Sequence, residues 1–305
     1  MNDTQVKQRP FYAPYSDGVH RMAMGLMALS YDDWLEVDEF FAEHVAEKSR
    51  LLTEHYDEVF QAVAGSEAGQ REVLDAVLEH MTSHHPGLIA SDGETVELKT
   101  IGERHRLSDY VAAPMNLAGR LAQEDLCLMA PGEAGYELVA ASLCFPTRWR
   151  LSDKIGRPML AIHGPVPDYA KRLGKPVDRF LDHLKADKPV MRVNWAILDD
   201  PALFQPGGHY KHGGGEHVTA ENAGEKLFIR VERQTLRRME PSGNILFTIK
   251  IHSDPLSCLD ARPDLARALG DTISQVQDGM REYKSVGRFG DAIQGWVGRV
   301  AGGQS

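Results

Sequence analysis

Cysteine is scarce in this chain: Cys127, Cys144 and Cys258 are the only three among 305 residues. An odd number without close spacing excludes a disulfide scaffold, a zinc ribbon and a cysteine-held iron–sulfur cluster. Reduced thiols and a cytoplasmic location are expected. No apolar run approaches the ~20 residues a membrane-spanning helix requires. The opening residues, MNDTQVKQRPFY, lack the basic-then-apolar order of a secretory leader, so no membrane association is expected. Positive charge is in deficit, with 34 Lys and Arg against 44 Asp and Glu, a net charge of −10. That disfavours nucleic acid, whose phosphates demand a positive surface, and suits a small cationic ligand or a basic partner. Walker A, G-x-G-x-x-G after a strand, G-x-S-x-G and H-E-x-x-H are all missing, so neither nucleotide nor hydrolase chemistry is announced. Without C-x-x-C-H, any haem would be held non-covalently. No solenoid-length repeat is present.

What remains is an ordinary globular composition, 42% apolar and 26% charged, enough for a sizeable core in one large or two small domains. The spacing of Trp34, Phe41 and Val45 predicts a helix from Ser30 across SYDDWLEVDEFFAEHVAEKSRLLTEH. A second helix follows in SEAGQREVLDAVLEHMTSHHPG, stopped by Pro86-Gly87. GETVELKTI alternates like a strand. SDYVAAPMNLAGRLAQEDLCLM reads as a helix, with Glu124 and Asp125 at a cap or on its surface, and YELVAASLCF reads as an apolar strand. PVDRFLDHLKAD is amphipathic and helical. VMRVNWAIL is a strand with Met191, Val193, Trp195 and Ile197 on one face and Arg192 and Asn194 on the other. KLFIRVERQTLRRM and ILFTIKIH form a hairpin across the turn PSGN, and the tail is helical. Strands followed by an antiparallel hairpin, with helices gathered on one side, give an α+β layout with a pocket between layers.

Three groups of residues carry candidate chemistry. His163 lies between an apolar run and Gly164-Pro165-Val166-Pro167, where prolines remove backbone freedom. Either its ring fastens a turn through a backbone carbonyl, or it positions a ligand or base. Arg192, Asn194 and Glu232 lie on strand faces, Glu232 beside Arg230 and Gln234; they form either a solvated surface or a polar pocket that binds a carboxylate, a diatomic or a cation. HYKHGGGEH supplies His209, His212, Glu216 and His217, but a triple glycine opposes fixed metal geometry, and a flexible loop is expected. His84 and His85 suit a helix C-terminus.

Taken in order, MGLMAL…YDDWLEVDEFF, LAQEDLCLM, RWRLSDKIGRPMLAIHGPVPDY, KPVMRVNWAI and RVERQTLRRMEPSGNILFTIK resemble the haem-binding alpha subunit of the haem-dependent oxidative N-demethylases, over roughly Phe11 to Leu256. The resemblance implies a PAS-like antiparallel sheet with short helices on one side, at residues 91–256. Helical extensions at 1–90 and 257–305 flank it. It further implies a monooxygenase-type enzyme that binds haem b and demethylates a small secondary amine, dimethylamine, using O2. Electrons would come from NADPH through partner subunits carrying FMN and a [2Fe–2S] cluster, with tetrahydrofolate as the one-carbon acceptor. On this reading His163 ligates iron, and His183, on the helix that PAS haem sensors use, is the runner-up. Arg192 and Trp195 contact the cofactor. Glu232 holds the ammonium while Asn194 and Arg192 polarise the site. The competing expectations are a haem-binding sensor without turnover and a haem-free interaction domain; homo-oligomerisation stays open.

Overall fold

The computed structural model describes residues 11–207, 215, 217–276, 278–283 and 286–302. Strands β1 (Met27–Ala28), β2 (Phe60–Ala62), β6 (Asp125–Gly132), β7 (Gly135–Ser142), β8 (Val190–Leu198), β9 (Phe228–Arg238) and β10 (Ile245–Pro255) form one antiparallel sheet in the order β1-β8-β9-β10-β6-β7-β2. β3 (Ile89–Ser91), β4 (Thr95–Leu98) and β5 (Glu103–Arg106) form a separate small sheet. The helices are α1 (Phe41–Glu54), α2 (Tyr56–Val59), α3 (Glu67–His84), α4 (Pro114–Leu121), α5 (Met159–Ile162), α6 (Lys175–His183), α7 (Ala223–Lys226), α8 (Pro263–Ser274), α9 (Asp278–Tyr283) and α10 (Val286–Gly302). Among the described residues no helix is long and apolar enough to cross a membrane.

The β9–β10 hairpin pairs without interruption from Phe228↔Pro255 to Arg238↔Ile245, and Gly243 supplies the positive φ its turn needs. Because side chains alternate, this register divides the sheet into two faces. One face carries Trp195, Ile197, Ile229 and Val231, packed against Leu269, Phe289 and Ile293 of α8 and α10. Its other half carries Leu126, Leu128, Ala140 and Leu246 and packs against α1, α3 and α4. α4 lies so close to β7 that a Cβ on Gly119 would stand 2.0 Å from Ser142 Oγ. The second face is covered by the long β7–β8 connection, which holds only short helical pieces: the turns Leu151–Asp153 and Ala170–Gly174, with α5 and α6. Ile162, Leu181 and Leu184 of this cover pack on Leu138, Ala141 and Ile245.

Two expected helices are shorter than their sequence pattern. The chain from Ser30 makes only the 3-10 turn Tyr31–Asp33 and enters α1 at Phe41. The intervening Trp34, Glu36 and Asp38 are drawn into the protein by partners on the sheet, so tertiary bonds override the local helical spacing. The run SDYVAAPMNLAGRLAQEDLCLM is α4 followed by β6; the short apolar stretch at its end, LCLM, fits a buried strand as well as a buried helix turn. Glu124 and Asp125, expected at the surface, are 1% and 0% exposed. The Asp125 carboxylate accepts the Cys144 and Phe145 amides at 2.8 Å. The division drawn at residue 90 leaves β1 and β2 in the first segment, although both pair within the large sheet.

Candidate functional site

The site grows from the β7–β8 connection and the face of β8 and β9 beneath it. His163 closes α5. Its backbone amide donates to Met159 O at 3.1 Å, and its ring Nδ1 lies 3.0 Å from the same oxygen. The ring therefore fastens the turn, as one sequence reading required. With Nδ1–H donating to a carbonyl, the tautomer is fixed and the Nε2 lone pair is left over. Among the described residues nothing hydrogen-bonds Nε2. The prolines after it continue as turns, Val166 N–H to His163 O at 2.9 Å and Tyr169 N–H to Val166 O at 3.2 Å. These return the Tyr169 ring to stack on the imidazole, centroids 4.4 Å apart and planes 11° apart. Burial, with the nearby cations Lys154 and Arg192, pulls the His163 pKa down to about 4. The ring is neutral at pH 7, the form that binds a metal.

On the sheet, Asn194 pairs with Glu232, Arg192 with Gln234 and Ala196 with Arg230 across β8 and β9, so these polar side chains form one row. Glu232 is its hub. Oε1 accepts the Thr147 hydroxyl at 2.7 Å, and Oε2 accepts Gln234 at 2.7 Å and Asn194 at 3.2 Å. Arg230 is buried and ties the segment above to the sheet. It donates to Thr147 Oγ1, Phe145 O, Ala202 O and Leu203 O at 2.8–3.1 Å, and burial lowers its pKa to about 10. Arg192 differs: its Nε is buried, and among the described residues its guanidinium makes no hydrogen bond. Burial lowers its pKa while Glu232 and Tyr169 oppose the shift. Lys154 is also desolvated and pushed down, with its Nζ 4.4 Å above the Trp149 ring. Among the described residues the buried Tyr169 hydroxyl has no hydrogen-bond partner, and burial lifts its pKa to about 12. Among the described residues only Arg148 and Asp168 are non-glycine with positive φ, both at 58°. They bracket the segment that carries His163, where backbone strain marks a demand of the site.

The structure thus brings His163, Arg192, Asn194 and Glu232 to one side of the sheet. It does not bring Trp195 there: the indole is in the core of the opposite face, 5.5 Å from the Tyr15 ring and facing α8 and α10. The odd-numbered residues of β8 face away from the even-numbered ones, so the cofactor contact expected of Trp195 is sterically closed. His183 is exposed at the end of α6, its Nδ1 2.8 Å from Arg179 O. His209, His212 and Glu216 lie outside the described residues; His217 is 3.6 Å from Asp199. Sequence reasoning missed Thr147, Lys154 and Tyr169. All three sit in the same stretch as His163, and a Lys and a Tyr spaced six or more residues from a histidine give no periodic signal.

Among the described residues, a neutral imidazole with no hydrogen bond at Nε2, an apolar wall from Met159, Ile162, Phe180, Leu236 and Phe247, and two desolvated cations without carboxylate hydrogen bonds would fit a flat, apolar, metal-bearing group with anionic substituents. The class defined is an α+β protein with a row of polar and charged side chains on one face of an antiparallel sheet. Residues 25–294 match the family described as HODM_asu-like, haem-dependent oxidative N-demethylase, alpha subunit-like, and the chain belongs to that family. The description makes it an oxidoreductase of haem-dependent, oxidative N-demethylase-like type, and as an alpha subunit it implies further subunits.

Proposed function

We propose that this chain binds haem b through His163 Nε2 and removes a methyl group from a small secondary amine, dimethylamine in the first instance, with O2 and electrons from a partner reductase. One observation carries the assignment: the His163 ring is held neutral, with Nδ1–H committed to Met159 O and Nε2 uncommitted, beside buried cations. A second supports it. The five long strands run in the order third, fourth, fifth, first, second, and the short helices lie between the second and third; this supports a PAS-like core. Haem bound here supplies the oxygen and redox chemistry of the demethylation.

The chain's own residues do the rest. Arg192 and Lys154 would hold the anionic substituents of a bound haem, which would satisfy a guanidinium that has no hydrogen bond among the described residues. Met159, Phe180 and Phe247 would keep water from the group. Glu232 receives three hydrogen bonds, and a carboxylate offers about four acceptor directions, so one is left for an ammonium N–H. Thr147, Gln234 and Asn194 fix the carboxylate's orientation. NADPH, FMN, [2Fe–2S] and tetrahydrofolate belong to partner subunits on this reading.

The test is turnover by the haem-loaded protein with a surrogate reductase. Dimethylamine should be consumed with formaldehyde and methylamine released in equal amounts. NADPH oxidation that is independent of amine, with no formaldehyde, would instead identify a haem sensor.

A further inference from the structure

The chain is acidic overall, but its charge is not evenly placed. Residues 148–192, the cover over the His163 face, hold eleven Lys and Arg, five Asp and no Glu, a net charge of +6. The remainder carries −16 against a total of −10. Arg148, Lys154 and Arg192 of this set point inward and are buried or half-buried; Arg150, Arg157, Lys171, Arg172, Lys175, Arg179, Lys185 and Lys188 are exposed. The acids among them are Asp153, Asp168, Asp178, Asp182 and Asp187, and the contact from Asp168 to Lys171 is long, at 4.0 Å. In the midst of these cations Leu160 is half exposed, one of few large apolar side chains so placed. It belongs to α5, three residues before His163, and touches the turn Ala170–Gly174 near Gly174.

We propose that this surface is the docking face for an acidic one-electron carrier protein, and that the carrier's electron enters through Tyr169 and His163. The inference rests on the haem reading above. An exposed apolar centre within a charged rim is the anatomy of a transient encounter surface, where charge sets the on-rate and little area is buried. Complementarity fixes the sign of the partner: this face repels a basic protein and attracts an acidic one. Position fixes its task. Lys171, Arg172 and Lys175 follow Tyr169 by two to six residues, and the Tyr169 ring is in stacking contact with His163. Those cations lie on the turn Ala170–Gly174 and the start of α6, and that turn packs on Leu160 of α5, the helix that His163 closes. The step is the transfer of a single electron: the carrier is oxidised by one electron, ferric haem is reduced to ferrous, and no atoms move.

The test uses a reduced acidic [2Fe–2S] ferredoxin as the probe. Under anaerobic stopped flow it reduces the haem-loaded protein, and the rate constant should fall about tenfold or more as salt is raised from 20 to 300 mM. The exposed triple variant Lys171→Glu/Arg172→Glu/Lys175→Glu should slow the reaction at low salt by a similar factor, while dithionite reduces variant and parent equally. Lys99→Glu/Arg104→Glu, exposed on the small sheet, should change nothing. Calorimetry of ferredoxin with the full chain measures docking whether or not haem is loaded, and the triple variant should weaken it about tenfold. Docking lost in the variant while the parent binds no haem would leave this surface standing and remove the haem reading. Equal docking and reduction by parent and triple variant would overturn the proposal. So would self-association that only the triple variant abolishes with ferredoxin docking intact, because the face would then belong to a second copy.

Discussion

Each face of the large sheet holds a group of buried ionised side chains, and the two groups are built on opposite principles. Behind the sheet, Lys250 Nζ lies 2.9 Å from Asp38 Oδ2 and 3.5 Å from Glu36 Oε1, Arg233 Nε lies 3.5 Å from Glu36 Oε2, and His252 Nε2 lies 3.0 Å from Glu36 Oε1. Burial raises the Glu36 pKa, but the nearby His252 ring, the Lys250 charge and the Tyr12 hydroxyl outweigh it and bring the pKa down to about 2. Glu36 and Asp38 face two permanent cations, with the buried Glu124 carboxyl, whose pKa burial raises, beside them. Glu36, Asp38 and His252 are near enough to hold a metal ion, but Lys250 and Arg233 already supply the positive charge that an ion would bring. In front, Arg192, Arg230 and Lys154 lie about Glu232, Arg230 is also near Asp125 and Asp200, and among the described residues Arg192 has no hydrogen bond. A balanced, enclosed group holds the N-terminal segment to the sheet. The front group instead leaves a desolvated guanidinium without a hydrogen bond among the described residues.

The sharpest way to break this contrast is to remove one cation from each side. Lys250→Met leaves Asp38 and Glu36 short of a partner inside the protein, and should cost about 3–5 kcal/mol, read as a fall in Tm of roughly 10 °C. Arg192→Met deletes a charge with no hydrogen bond to lose, so the haem-free protein should keep its stability within about 1 kcal/mol while its haem affinity falls. Equal destabilisation by the two substitutions would mean that the groups are not different in kind. Next in size, Glu232→Gln keeps the shape of the hub and removes its charge. Amine affinity should weaken about tenfold, near 1.4 kcal/mol, with the haem spectrum retained. Unchanged amine binding would make Glu232 only the counter-ion of its arginines.

A further effect is in pH. His44 and His80 are buried behind the sheet, and burial lowers both pKa values to about 4. An unfolded histidine titrates near 6.5, so the folded protein takes up fewer protons. The stability contributed by these neutral rings is fully present above about pH 6.5 and is lost as pH falls toward 4. A Tm that decreases over that window is expected, and a flat Tm between pH 7 and 5 would contradict it.

The same contrast explains what could be read in advance. The front row was legible because alternation in VMRVNWAIL and RVERQTL places Arg192, Asn194 and Glu232 on known faces, and the hairpin register follows from its turn. That alternation also places Trp195 on the far side, where the structure has it; assigning it to the cofactor followed the resemblance and ignored the period of the strand. The rear group was illegible. Glu36 and Asp38 lie about 215 residues before Lys250 and His252, and nothing local distinguishes them from the surface acids of a helix start. Glu124 and Asp125 were hidden for the same reason. Their partners, Lys48 and the amides of Glu36, Cys144 and Phe145, come from other elements, and burial by distant contacts leaves no periodic trace.

Central to the account is one atom, the uncommitted Nε2 of His163, and titration of the haem-free protein with haemin tests it directly. The parent protein and His183→Ala should each saturate at one haem per chain with the same Soret maximum. His163→Ala should bind roughly 100-fold more weakly and lose the signature of a histidine-ligated iron. Retention of that spectrum by His163→Ala, with loss in His183→Ala, would move the iron to the exposed end of α6 and contradict the site described.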